Sequence, residues 1–199
     1  MTPCWWPVSG SGTNSGLAPG GAMKTVLYTL LVAIAIVSFT VALVVFGGFY
    51  NFAADQPHWS LTEKVISVAR HQAVERRGAD ITAPEDLSSR ERLMRAAPSY
   101  DDMCSGCHLA PGQDGSALHE GLYPTPPDFT RHGIHDPGGA FWVIKHGLKM
   151  SGMPAWGQSH DDEALWDQVA LLSVLPELSQ EEWLTLLQQA EETGHTHHH

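Results

Sequence analysis

Cysteine is scarce in this chain: 199 residues hold 3, too few for a disulfide-dense scaffold. Cations are scarce as well. Lys and Arg number 11 against 22 Asp and Glu, a formal charge of −11, which disfavours nucleic acid or anionic lipid as a partner held by a basic face. Charge is missing altogether from residues 1–22 and again from residues 25–49, and no internal repeat is evident. What is present is ordinary for a folding chain, 43% hydrophobic and 17% charged, and that apolar content excludes disorder of the whole.

The uncharged opening, 1–22, is rich in Gly, Ser and Pro and includes Cys4, Trp5 and Trp6 without periodicity. It reads as a disordered N-terminal segment. Met23 and Lys24 look like a more natural start, placing one cation directly before the apolar run. Residues 23–50 are the expected transmembrane anchor. As a helix, the uncharged run would be about 37 Å long against a hydrocarbon core of about 30 Å. The alternative is a cleaved signal peptide, whose apolar core is usually about 7–15 residues. The small-residue site Phe52-Ala53-Ala54 has phenylalanine where a small side chain is wanted. Lys24 before the run and Asp55 after it put the N-terminus on the cytoplasmic side.

Residues 51–89 are expected to be a stalk or linker with one helix. Ser60-Leu61-Thr62-Glu63 reads as a capping box. Leu61, Val65, Val68 and Gln72 follow one stripe, Ile66, Ala69 and Ala73 the next, and Gly78 ends the helix. The same helix packed on the following domain is the other reading of this segment. Residues 90–192 read as an all-α domain. Ser88 to Glu91 suggests a helix start, and Leu93, Ala97, Tyr100 and Cys104 share one helical face, with Pro98 expected to kink or restart it. The stretch 109–140, with Pro111, Pro124, Pro126, Pro127 and Pro137, reads as loops and short turns. Two helices close the domain: one with Leu165, Val169 and Leu172 on a stripe, stopped by Pro176, and one capped at Ser179 to Glu182 with Trp183, Leu187 and Ala190 on a face. The His-rich tail, 193–199, holds His195, His197, His198 and His199 and reads as a tag remnant or solvated tail, with a weak transition-metal site as the alternative.

One motif carries chemistry. Cys104-Ser105-Gly106-Cys107-His108 is C-x-x-C-H, the attachment signature of c-type haem. Two thiols three residues apart on a helical turn can each reach one porphyrin vinyl group, and the adjacent imidazole then sits under the iron. A thioredoxin-like pair would want a strand before the motif. A zinc site would want a second ligand pair, and Cys4 is the only other cysteine. The candidate for the sixth iron position lies in Lys149 to Trp156. A thioether opposite histidine raises the potential and blocks substrate binding, which suits electron transfer. Met153 is preferred because Gly152 and Pro154 flank it; Met150 is the runner-up and His146 a distant rival.

From about Leu93 to Leu175 the sequence resembles the class I cytochromes c. Tyr100 four positions before Cys104, the C-S-G-C-H itself, and Gly-Met-Pro-Ala-Trp ending at Trp156 carry the resemblance. Glu163 to Leu172 resembles the family's terminal helix, which by that resemblance crosses the first helix near Tyr100. Pro127 resembles the proline whose carbonyl accepts from the proximal imidazole, with Pro124 and Pro126 competing. Ala96 stands where the crossing usually has glycine, and Pro98 is unusual in that helix. The resemblance implies a small cytochrome c fold around one covalent haem c, with His108 and Met153 as iron ligands. The whole then reads as a single-pass anchor in the cytoplasmic (inner) membrane, a helical stalk, and a haem domain in the periplasm or an equivalent outer space. Its expected role is a monohaem electron carrier between membrane redox proteins, without a small-molecule substrate or nucleic acid. The alternatives are an electron-transfer subunit of a dehydrogenase or terminal oxidase, and a catalytic or gas-binding haem. Residues 90–192 hold 6 basic and 16 acidic side chains, so docking to a basic partner is one expectation and simple solubility the other.

Overall fold

The computed structural model describes residues 19–194, and the chain divides into two units between Asn51 and Phe52. Among the described residues there is no strand. The first unit is one helix, α1 (Pro19–Phe46). It begins before Met23, so Pro19 to Ala22 belong to the helix and not to a disordered lead, and it ends before residue 50. Cys4, Trp5 and Trp6 lie outside the described residues. Gly21–Phe46 is 26 residues, long and apolar enough to cross a membrane by length and composition. Its threonine hydroxyls turn back on the helix: Thr25 donates to the Gly21 carbonyl at 3.0 Å, Thr29 to Val26 at 2.8 Å and Thr40 to Ile36 at 2.9 Å. Such bonds satisfy polar groups that hydrocarbon could not.

The second unit, Phe52–His199, contains α2 (Ser60–Gly78), α3 (Arg90–Met103), α4 (Ser105–His108), α5 (Ala117–Gly121), α6 (Pro137–His146), α7 (Asp162–Val174) and α8 (Gln180–Glu192). Single 3₁₀ turns at Trp156–Gln158 and Leu175–Glu177 connect the later helices. The starts follow local chemistry. Ser89 caps α3 by accepting from Arg92 N, Asp161 caps α7 by accepting from Ala164 N at 2.9 Å, and Ser179 with Glu182 closes a reciprocal capping box on α8. At α2 the outcome differs: the helix begins on Ser60 itself, Trp59 stands at the cap position, and no side chain caps it. Pro98 lies inside α3, and the helix is assigned on both sides of it without a restart.

The core is the crossing of α3, α7 and α8. Ala96, Ala97 and Tyr100 on α3 are buried against Leu165, Val169 and Leu172 on α7 and Trp183 and Leu186 on α8. Tyr100 meets Trp183 edge to face, centroids 5.9 Å apart. Ala96 does not loosen the crossing: it is fully buried, and its carbonyl accepts from the Gln168 amide at 3.3 Å. Helix α7 is buried along every residue from Leu165 to Leu172, not along one stripe. That run takes Asp167 inside, where Arg92 of α3 binds it at 2.8 Å and Arg95 at 2.7 Å; Arg92 also reaches Asp86 and Glu163.

The segment 51–89 is not a free-standing stalk. Helix α2 packs on α6 inside the second unit, so the division drawn at residue 89 does not separate two bodies. The contact is made by glycine backbones and not by the apolar stripes. A Cβ on Gly78 would stand 2.6 Å from Gly139 Cα, and one on Gly138 would stand 2.7 Å from the Ile81 carbonyl. Leu61, Val65, Ile66 and Val68 are exposed. Thr193 and Gly194 follow α8, and His195 to His199 lie outside the described residues.

Candidate haem site

The C-x-x-C-H residues occupy the junction of α3 and α4. Cys104 ends α3, its amide bonded to the Tyr100 carbonyl at 2.8 Å. Cys107 and His108 follow on one turn, their amides both pointing at the Cys104 carbonyl, at 3.0 and 2.8 Å. The two thiols are free. Burial, and then the neighbouring Cys107, pushes the Cys104 thiol up to about 12. The turn is closed by a strained residue. Leu109 has φ 63° and ψ 162°, a region natural to glycine, yet it is buried. Its carbonyl accepts from the Tyr100 hydroxyl at 2.8 Å and its amide donates to Ser105 at 2.9 Å, which holds the strain in place.

His108 Nδ1 lies 2.9 Å from the Pro127 carbonyl. A carbonyl only accepts, so Nδ1 carries the proton and Nε2 keeps its lone pair. Pro124 and Pro126 line the same cavity without that contact. The imidazole stacks on Phe129, centroids 4.8 Å apart. Burial lowers its affinity for a proton, opposed in part by the Pro127 bond, so the neutral, ligating form is favoured.

Met153 reaches the same cavity from the loop after α6. Gly147 ends that helix at φ 65° and ψ −174° and lets the chain fold back, so that Leu148 N donates to Met153 O at 3.2 Å and Ser151 Oγ accepts from Met153 N at 3.2 Å. Met150 is 93% exposed and is not among the residues lining this cavity. His146 is exposed and stands beside Trp142. Trp156 also lines the cavity, edge-on to His160 at 5.6 Å.

Cys104, Cys107, His108, Met153, Pro127, Tyr100 and Trp156 thus surround one hollow of about 930 Å³, at the upper end of the roughly 300–1,000 Å³ usual for ligand cavities. Leu122, Ile134, Val143, Ile144, Leu148 and Leu172 make most of its remaining wall apolar. Two thiols, one imidazole with a free nitrogen, one thioether and an apolar hollow match what a covalently held haem requires. The competing uses of the cysteines are less well served. Helix, not strand, precedes the motif, and among the described residues no group of three or more His, Cys, Asp or Glu could hold a metal ion.

Two features of the site and its frame are absent from the sequence expectations. Helix α2 contributes Ser67, Arg70, His71, Val74 and Glu75 to the cavity wall. Arg92 and Asp167, the buried pair joining α3 to α7, form part of its frame. Arg92 had a signal, since it lies four residues before Ala96 and eight before Tyr100 on the buried face.

Residues 91–172 match a family model described as cytochrome C oxidase, cbb3-type, subunit III. No curated protein and no solved structure matches the chain. The matched stretch spans α3 through most of α7 and holds every predicted site residue. The all-helical segment 91–172 is a c-type cytochrome domain, in a chain whose N-terminal helix is apolar and long enough to cross a membrane.

Proposed function

We propose that this protein is a membrane-anchored monohaem cytochrome c that passes single electrons between membrane redox partners. The observation that carries it is the convergence of Cys104, Cys107, His108 and Met153 on one apolar cavity. Bound haem c supplies the one-electron couple. Cys104 and Cys107 would hold the macrocycle by thioether bonds. His108 offers Nε2 to iron while Pro127 fixes the ring through Nδ1. Met153 offers a sulfur from a loop that its own backbone bonds close. With His108 and Met153 both offered to the iron, the chain would leave no open site for a substrate. This favours a carrier over a catalytic or gas-binding haem.

Helix α1 anchors the chain in the cytoplasmic membrane in a single pass. Lys24 before the span supports an inside N-terminus and an outside, periplasmic or equivalent, haem domain. Anchoring raises the effective concentration of the haem domain near a membrane partner. The description of the matched family, an oxidase subunit, favours a second reading in which the chain is the fixed electron-transfer arm of a terminal oxidase.

Optical spectra of the purified full chain in both redox states test the first reading. Haem should resist acid extraction, and the oxidised form should show a sulfur-to-iron band that Met153→Ala abolishes. Survival of the band in that variant moves the ligand elsewhere. Rapid carbon monoxide binding to the reduced wild type would overturn the carrier role. Mild solubilisation separates the two assemblies: co-purification with oxidase subunits supports the arm, isolation alone the free carrier.

A further inference from the structure

Helix α2 lies outside the matched segment 91–172, yet it walls the haem cavity. It does so with its polar face. Ser67, His71 and Val74 follow spacings of four and three toward Gly78, and Arg70 and Glu75 flank that stripe; these five line the hollow. Leu61, Val65 and Val68 face outward and are exposed. The helix has little freedom to withdraw, because Gly78 meets the backbone of Gly138 and Gly139 at the start of α6, and Val74 lies 3.4 Å from where a Cβ on Gly139 would stand. Ser67, Arg70, His71 and Glu75 are themselves exposed to solvent, so α2 offers its polar groups at the open side of the hollow and not in a closed interior.

Arg70 is the one Lys or Arg among the residues lining the cavity. The other titratable side chains in the wall are Glu75 and His71 on α2, Asp136 and His135 before α6, His160, His108, Tyr100 and the two thiols. Asp136 is engaged in capping α6 through Gly138 N at 3.1 Å. Haem c is apolar except for two ionised carboxylates, and carboxylate oxygens match the planar donor fork of a guanidinium. We propose that Arg70 binds a haem carboxylate, so that α2 serves as an added wall of the haem site and sets the iron potential. The proposal rests on the haem reading above. A cation held near the iron disfavours the ferric state, which carries one more positive charge. Arg70 therefore raises the potential.

The test is a spectroelectrochemical titration of the full chain in detergent. Arg70→Gln should shift the ferrous–ferric equilibrium toward ferric by about tenfold, which for one electron is about 59 mV. Arg76→Gln removes the same charge from the same helix at a position outside the cavity lining, and should shift it less than about twofold. In Arg70→Lys the charge stays but the bidentate fork is lost, so the carboxylate bending mode in the resonance Raman spectrum should move while the ferrous–ferric equilibrium stays within about threefold of wild type. This second readout stands even where the glutamine variant loads no haem. An unmoved potential in Arg70→Gln, an equal shift in Arg76→Gln, or an unmoved bending mode in Arg70→Lys overturns the proposal. A wild-type preparation without covalently held haem sinks both readings, whereas haem-loaded protein with an unmoved potential sinks this one alone.

Discussion

Replacing Gly147 by alanine should loosen the methionine loop while leaving the haem attached. Gly147 sits at φ 65° and ψ −174°, a backbone region almost confined to glycine, and holding another residue there costs about 1–3 kcal/mol. The new Cβ would also stand 2.7 Å from Pro154 C and 2.8 Å from both Ala155 N and Met153 O. All three are backbone atoms, so no rotamer change relieves the overlap, and overpacking adds about 1–3 kcal/mol. The strain falls on the segment that carries the thioether, one residue from the Leu148–Met153 backbone bond. The proposed haem attachment at Cys104 and Cys107 lies apart from that loop and should be untouched. Three measurements are needed on the full chain: thermal unfolding, the intensity of the sulfur-to-iron band, and haem retained after denaturation. A lower Tm and a weakened band with full covalent haem are expected. Gly121→Ala is the control, because a Cβ there meets nothing within 4 Å, and a surface change of that kind should stay within about 0.5 kcal/mol. If Gly147→Ala kept the wild-type Tm and band, the loop would not be held as its geometry indicates.

Two further substitutions probe the frame. Asp167→Ala leaves Arg92, 3% exposed, without its buried partner and should destabilise by about 3–5 kcal/mol, toward the lower figure because Asp86 and Glu163 remain; a shift in denaturant midpoint worth under about 1 kcal/mol would show that the exposed carboxylates suffice. Tyr100→Phe removes the donor to the Leu109 carbonyl and should cost about 1–3 kcal/mol. Unchanged denaturant unfolding would mean that Leu109 needs no such tether.

Much of the site was legible because its chemistry is written in contiguous residues. The C-x-x-C-H spacing, Met153 between Gly152 and Pro154, and the box at Ser179 and Glu182 each depend on a few neighbouring dihedrals, and short-range spacing reports those directly. The helices α3, α7 and α8 were legible for a related reason, since each carries a buried face at helical spacing. Even here the pattern understated the burial of α7, because a helix covered on all sides takes Asp167 and Gln168 inside, and only the partner helix supplies the reason.

The placement of α2 was decided by tertiary structure alone. Its apolar residues advertise a face that the fold leaves exposed, while the contact is made through Gly78, which has no side chain to advertise, against Gly138 and Gly139 some sixty residues on. The choice of Pro127 among three nearby prolines was likewise spatial, since it turns on which carbonyl comes within 2.9 Å of an imidazole nitrogen. Local order determines which groups this chain can offer to haem. The long-range approach of backbones, which leaves no periodic trace in sequence, decides what surrounds them.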